Sequence, residues 1–126
     1  MTCFWDSILA SLSDEDLQIL GTDRKIEHLI TVLKKKNKKT TSLWQGNDLS
    51  LKERKEYFDA VEDYNIKDIY NGHLTSICDY FLLLISDLLD LSIEHHFLNI
   101  KIVYIPSGNI RRHIRFKSDS GHFAKQ

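Results

Sequence analysis

The segment that most constrains the fold is Tyr80 to Leu89, where aromatic and aliphatic residues are interrupted only by Ser86 and Asp87. A helix that is apolar on nearly every side is typically buried at the centre of a domain. Asp79 precedes the segment and is predicted to cap it. The rest of the chain is therefore expected to cover this helix.

Helices are also predicted ahead of this segment, from capping residues and from apolar positions spaced three and four residues apart. Their predicted extents are Phe4 to Leu12, Ser13 to Gly21, a Thr22 or Asp23 cap through Leu33, and a Ser50 cap through Tyr64. The polar segment Asn37 to Asp48 is predicted to be a loop. The first half of the chain is thus expected to be helical.

After Asp90 the apolar residues recur with a period of two, which is typical of β-strands. Strands are predicted at Ser92 to Phe97, at Ile100 to Ile105, at Arg112 to Lys117 and, as a last short strand, from His122. They are expected to form an antiparallel meander. The predicted fold class is α+β, with a small, mainly antiparallel sheet packed between helices. At 126 residues, one domain over positions 1–126 is expected.

Charge and cysteine content narrow the classes of function. The net charge is −1, so no nucleic-acid partner is expected. The basic run from Lys34 to Lys39 is either a contact for phosphate or an acidic partner, or a solvated helix end. Two cysteines, Cys3 and Cys78, indicate a reducing compartment, so an intracellular, cytoplasmic location is expected. No apolar run is long enough to span a bilayer, and no membrane association is expected.

The histidine pattern does not predict a metal site. His95 and His96 are adjacent on a predicted strand, so their rings are expected to point to opposite faces and not to share an ion. No metal and no cofactor are predicted for this chain.

Two residues near the ends of the chain have the chemistry of a thiol hydrolase. Cys3 stands at the start of the first predicted helix, where unpaired N–H groups and the helix dipole favour a thiolate. His122 follows a glycine and opens the last predicted strand. A thiol protease needs a cysteine at a helix N-terminus facing a histidine from a sheet. Each residue alone is better explained by packing or by a surface position, so the hypothesis depends on the pair.

These motifs resemble those of the ovarian-tumour (OTU) cysteine proteases, most of which are deubiquitinases, and particularly the compact OTU-like proteins of large DNA viruses. The family's nucleophilic cysteine is followed by Leu or Phe, an aromatic residue, any residue, Ala or Ser, and an aliphatic residue. The matching positions here are Cys3, Phe4, Trp5, Ser7 and Ile8. The family's histidine stands between a small and an aromatic residue, as His122 stands between Gly121 and Phe123.

The resemblance implies an OTU-like fold and thiol-dependent cleavage of ubiquitin or a ubiquitin-like modifier from its conjugates. It implies that Cys3 attacks the isopeptide carbonyl and that His122 acts as the general base. The residues expected to adjoin the oxyanion or the substrate are Thr2, Phe4, Trp5 and Phe123. A viral source would imply the host cytoplasm or the virion as the location.

The family's orienting residues have no direct match. Only Met1 and Thr2 precede Cys3, where the family has an Asp, and Ala124 stands two residues after His122. Asp119 is the candidate third catalytic residue because it is close to His122 in sequence. Two alternatives stay open: a non-catalytic OTU-like module that binds ubiquitin or another protein, and a structural component without a site.

Overall fold

The structure is a computed structural model that describes residues 3–67, 75–119 and 123–126, with the main chain alone for residues 3 and 75–78. This part of the chain forms five α-helices and five β-strands. The helices are α1 (Cys3–Ser11), α2 (Asp14–Leu20), α3 (Ile26–Lys35), α4 (Leu51–Asp63) and α5 (Thr75–Leu89). The strands are β1 (Leu43–Trp44), β2 (Leu91–Phe97), β3 (Ile100–Ile105), β4 (Arg112–Ser118) and β5 (Phe123–Lys125). The predicted α+β class is confirmed.

Local capping explains where α2 and α4 begin and where α2 ends. Ser13 and Ser50 each form a capping box, with Asp16 and with Glu53, in which side chain and backbone bond reciprocally. Gly21 ends α2 in the left-handed region at φ 78°, which glycine adopts without steric cost. These three predicted boundaries are confirmed.

Two predicted helix starts are wrong. Helix α3 begins after Lys25 rather than after Thr22 or Asp23. Its late start follows from the Asp23 carboxylate, which accepts the N–H of Lys25 at 3.0 Å and closes a turn outside the helix. Helix α5 begins at Thr75, so Asp79 lies inside the helix and does not cap it.

Helix α5 is the centre of the core, as its sequence predicts. Phe81, Leu82, Leu83 and Ile85 are fully buried. The helix contacts α2 and α4 on its flanks and β2 and β3 beneath it. None of the described helices is long and apolar enough to cross a membrane.

The sheet is mixed, and its strand order is β1-β3-β2-β4-β5. Strands β2 and β3 form an antiparallel hairpin, and β5 is antiparallel to β4. Strand β4 instead runs parallel to β2, in a register from Leu91↔Arg112 to Phe97↔Ser118. The predicted antiparallel meander is therefore wrong at β4.

The connection from β3 to β4 explains the parallel pairing. Strand β3 ends beside the start of β2. From there the chain passes around the start of β2 and reaches the edge of β2 that β3 does not occupy. The N–H of Arg111 donates to the carbonyl of Asp90 at 2.8 Å, which fixes the entry into β4. Gly108 passes so close that a Cβ there would lie 2.6 Å from the Asp90 carboxylate. This short path crosses one strand and keeps β4 opposite in direction to β3.

The described helices cover one face of the sheet. Ile93, Tyr104 and Phe116 are buried on that face. On the opposite face the Lys101 and Arg115 side chains keep 57% and 65% of their exposure. The described residues thus form two layers, and the prediction of a sheet packed between helices is wrong in this respect. Strand β4 alternates buried and exposed residues as its sequence predicts, whereas Ile100 at the start of β3 is exposed.

Candidate functional site

The first helix and the last strand meet at their starting residues. The rings of Phe4 in α1 and Phe123 in β5 pack edge to face, with centroids 4.8 Å apart. The Ser7 hydroxyl donates to the Phe123 carbonyl at 3.0 Å. Ser7 is itself buried, so this hydrogen bond is shielded from water. Contacts between residues so far apart in sequence bring the two ends of the chain together.

The predicted catalytic residues each adjoin this contact in sequence. Cys3 is the first residue of α1, at the helix N-terminus where the sequence predicts it. Its side chain lies outside the described residues, as do Thr2 and His122. Ser7 follows Cys3 by four positions in α1, so the hydrogen bond to β5 lies about one turn from the start of the helix.

The aromatic residues predicted to adjoin the substrate lie in the core. Phe4, Trp5 and Phe123 keep only 3%, 3% and 2% of their exposure. The Trp5 indole N–H also donates to the Tyr64 hydroxyl at 3.2 Å. Their rings therefore anchor α1 and β5, and only their backbone groups are available to border a substrate.

A histidine that sequence analysis did not connect with this region lies beside Phe123. His95 is buried, its Nε2 lies 2.6 Å from the Ser118 hydroxyl oxygen, and its ring centroid lies 5.1 Å from that of Phe123. His96 points to the opposite face, where its Nε2 is 2.8 Å from Glu94. The predicted divergence of the two rings is confirmed. The available signal for His95 was its inward position in the strand alternation.

Asp119, the predicted third catalytic residue, directly follows β4 and is exposed. It lines a surface cavity of about 400 Å³ together with His96, Lys117 and Ser118. Asp119 therefore lies at the end of the sheet where β5 begins.

A second group of polar and aromatic side chains lies at the N-terminal half of α5. The Tyr104 hydroxyl donates to the Asp79 carboxyl. Burial raises the pKa of Asp79, and this hydrogen bond offsets only part of the rise. Burial and the nearby Asp79 charge raise the pKa of Tyr57 to about 12. The group joins α5 to β3 and α4, and it supplies a carboxyl that is easier to protonate than an exposed one.

Part of the basic run serves the fold. The Lys34 ammonium donates to the Tyr64 carbonyl, at the end of α4. The Lys38 ammonium lies 3.1 Å from the carboxylate of Asp87, whose side chain is almost completely buried. The lysines at positions 35, 36 and 39 are exposed, which fits the interpretation of this run as a solvated helix end.

Comparison with known proteins places this chain in no group: no family model, no curated protein and no solved structure matches it.

Proposed function

We propose that this chain is a thiol-dependent hydrolase in which Cys3 is the nucleophile and His122 the general base. Its substrates are conjugates of ubiquitin or a ubiquitin-like modifier, as the resemblance to the OTU proteases implies. The fold class is compatible with this proposal, since a helix N-terminus and a strand meet where the two motifs adjoin.

The observation that carries the proposal is the contact between Phe4 and Phe123. Each follows one of the proposed catalytic residues directly, and consecutive α-carbons are only about 3.8 Å apart. The Ser7 hydroxyl bond to the same strand keeps the two elements in fixed contact. This contact brings together the parts of the two motifs that contain Phe4 and Phe123, as a nucleophile and its base require.

In the proposed reaction the Cys3 thiolate attacks the carbonyl carbon of the isopeptide bond. The backbone N–H groups at the start of α1 stabilise the oxyanion that forms, because they have no partner within the helix. The imidazolium of His122 then protonates the leaving lysine amine, and the carbon–nitrogen bond breaks. Water, deprotonated by His122, hydrolyses the acyl thioester and returns the thiol.

The test is covalent capture by ubiquitin or a ubiquitin-like protein that carries a thiol-reactive group at its C-terminus. We expect a one-to-one adduct with the unmodified chain, none with Cys3→Ala, and a much slower reaction with His122→Ala. Cys78→Ala is the matched control because it removes the other cysteine, and it should react at the rate of the unmodified chain.

Alkylation by iodoacetamide separates the chemistry from the choice of modifier. An activated Cys3 reacts faster than Cys78, whichever protein is the natural substrate. Equal and slow alkylation of both cysteines in the folded chain would refute the proposal. Fast alkylation of Cys3 without capture would point to another modifier. Binding of ubiquitin with neither reaction would support the non-catalytic module instead.

A further inference from the structure

The C-terminal end of α1, opposite the end that begins at Cys3, borders a cavity at the open edge of the sheet. Strand β5 pairs with Phe116–Ser118 of β4, and the N–H of Gln126 donates to the Arg115 carbonyl at 3.0 Å. Among the described residues, no strand pairs with positions 112–114 of β4 on that side. A cavity of about 310 Å³ lies against this open edge. Its polar lining residues are Ser11, Arg112, His113, Arg115, Lys125 and Gln126. No aspartate or glutamate is among the lining residues.

Two buried polar atoms of this lining have no hydrogen-bond partner among the described residues. They are the hydroxyl oxygen of Ser11 and Nε of Arg112. Ser11 keeps only 6% of its exposure. Buried polar atoms are nearly always hydrogen-bonded, and both of these groups are able to donate. Both donors belong to residues that line the cavity, and an acceptor held there would satisfy them after a small movement of the two side chains.

The charges around the cavity favour an anion as that acceptor. Arg112 shares the buried Asp16 carboxylate with Arg111, and Arg111 also lies 3.7 Å from the Glu15 carboxylate. The Lys125 ammonium donates to the Ala10 carbonyl at 3.3 Å, and a neutral oxygen leaves its positive charge uncompensated. The described salt bridges give Lys125 no carboxylate partner.

We infer that this cavity binds a phosphate-type oxyanion, as inorganic phosphate or as the phosphate monoester of a small molecule. A tetrahedral dianion offers several acceptor oxygens at once to the Ser11 hydroxyl, the Arg112 Nε and the Lys125 ammonium. Guanidinium and ammonium groups form their strongest hydrogen bonds with such charged acceptors. The site is separate from the proposed thiol chemistry, since α1 places about 13 Å between its two ends at about 1.5 Å per residue.

The experiment is a calorimetric titration of the full chain with inorganic phosphate and with sulfate, against sodium chloride at the same ionic strength. We expect saturable one-to-one binding of phosphate and sulfate and none of chloride. Lys125→Gln should raise the Kd for phosphate by about tenfold or more, because a hydrogen bond between charged groups is lost. Lys55→Gln, an exposed lysine on α4, is the control and should leave the Kd unchanged.

A second pair of measurements keeps folding and the thiol chemistry apart from anion binding. Lys125→Gln should unfold at the same temperature as the unmodified chain in buffer without phosphate, and Cys3→Ala should bind phosphate as tightly as the unmodified chain. Amide chemical-shift changes on phosphate addition should centre on residues 11 and 112–115. Phosphate heats no larger than those of chloride, or a Lys125→Gln variant with the original Kd, would overturn the inference.

Discussion

The buried carboxylate of Asp16 joins α2 to the start of β4, and its removal has a magnitude that follows from the structure. Its side chain is 0% exposed and lies 2.6 Å from the Arg111 guanidinium, and Arg112 binds its other oxygen. It also accepts the Ser13 N–H at 2.8 Å, as half of the capping box. Asp16→Ala removes all three contacts and leaves two arginines without their shared carboxylate.

Removing one partner of a buried ion pair costs about 3–5 kcal/mol, mainly because the other charge is left buried. The Arg111 and Arg112 side chains keep 27% and 37% of their exposure, so water compensates part of that loss. We therefore expect Asp16→Ala to lower the free energy of unfolding by about 3 kcal/mol. With a urea m-value of about 2 kcal/mol/M, the midpoint falls by about 1.5 M.

Urea denaturation followed by circular dichroism measures this difference, and the same helix supplies the control. Asp14 also has an arginine partner, Arg24 at 2.8 Å, but its side chain is 93% exposed. Exposed ion pairs contribute about 0–1 kcal/mol, so Asp14→Ala should move the midpoint little. Equal midpoint changes in the two variants would refute the reasoning that burial, rather than charge pairing alone, sets the magnitude.

The same carboxylate predicts how the difference depends on pH. Burial acts to raise the pKa of Asp16, but the hydrogen bonds from Ser13, Arg111 and Arg112 outweigh it, so the pKa is lowered. A lowered folded-state pKa contributes stability above the unfolded value of about 3.9, and that stability is lost as the pH falls through the folded value. The gap in unfolding free energy between Asp16→Ala and the unmodified chain should therefore narrow on acidification.

Three further substitutions test other contacts. Ser7→Ala should lower the free energy of unfolding by about 1–3 kcal/mol, because the buried Phe123 carbonyl loses a donor. The substitution should also slow capture by the thiol-reactive ubiquitin probe. An unchanged capture rate would mean that this hydrogen bond does not hold the proposed site. Asp79→Asn should stabilise the chain more at pH 7 than at pH 4. Because the folded-state pKa of Asp79 is raised, ionisation of its carboxyl lowers the free energy of unfolding as the pH rises, and asparagine does not ionise. Thermal melts of the variant and the unmodified chain at both pH values test this sign. Gly108→Ala should lower the melting temperature by only a small amount, since its Cβ would lie 2.6 Å from an oxygen at the end of the flexible Asp90 side chain, which is able to move away; in an Asp90→Gly background the same substitution should leave the melting temperature unchanged.

Local sequence signals predicted the elements well where short-range chemistry decides them. The serine N-caps of α2 and α4, the glycine end of α2 and the alternation of β4 depend on residues a few positions apart. The pairing of β4 does not depend on such short-range contacts, because the sequence of a strand does not determine which strand it pairs with. The contact of Gly108 with Asp90, which guides the chain past β2, appears only when both residues are placed in space. Strand β1 was missed because two residues, Leu43 and Trp44, are too few to show alternation.

The proposed site shows the same division between local and distant information. Apolar spacing predicted a helix from Phe4 to Leu12 with Cys3 at its start, and this position of Cys3 is confirmed. No sequence pattern indicated that His95 would lie against Phe123, since that contact requires the parallel pairing of β4 and the return of β5. The charged lining around Arg112 was missed for a related reason: the shortness of β5 leaves the edge of β4 open.

The contact of Ser7 with Phe123 spans 116 positions of the chain, and this separation has a consequence for synthesis. A ribosome that adds about 5–20 residues each second needs roughly 6–24 s to reach β5 after it has made α1. During that interval Cys3 exists without the strand that α1 packs against. In the proposed chemistry the nascent chain then has a cysteine but no general base, so it acquires reactivity toward its substrates only after β5 has been made.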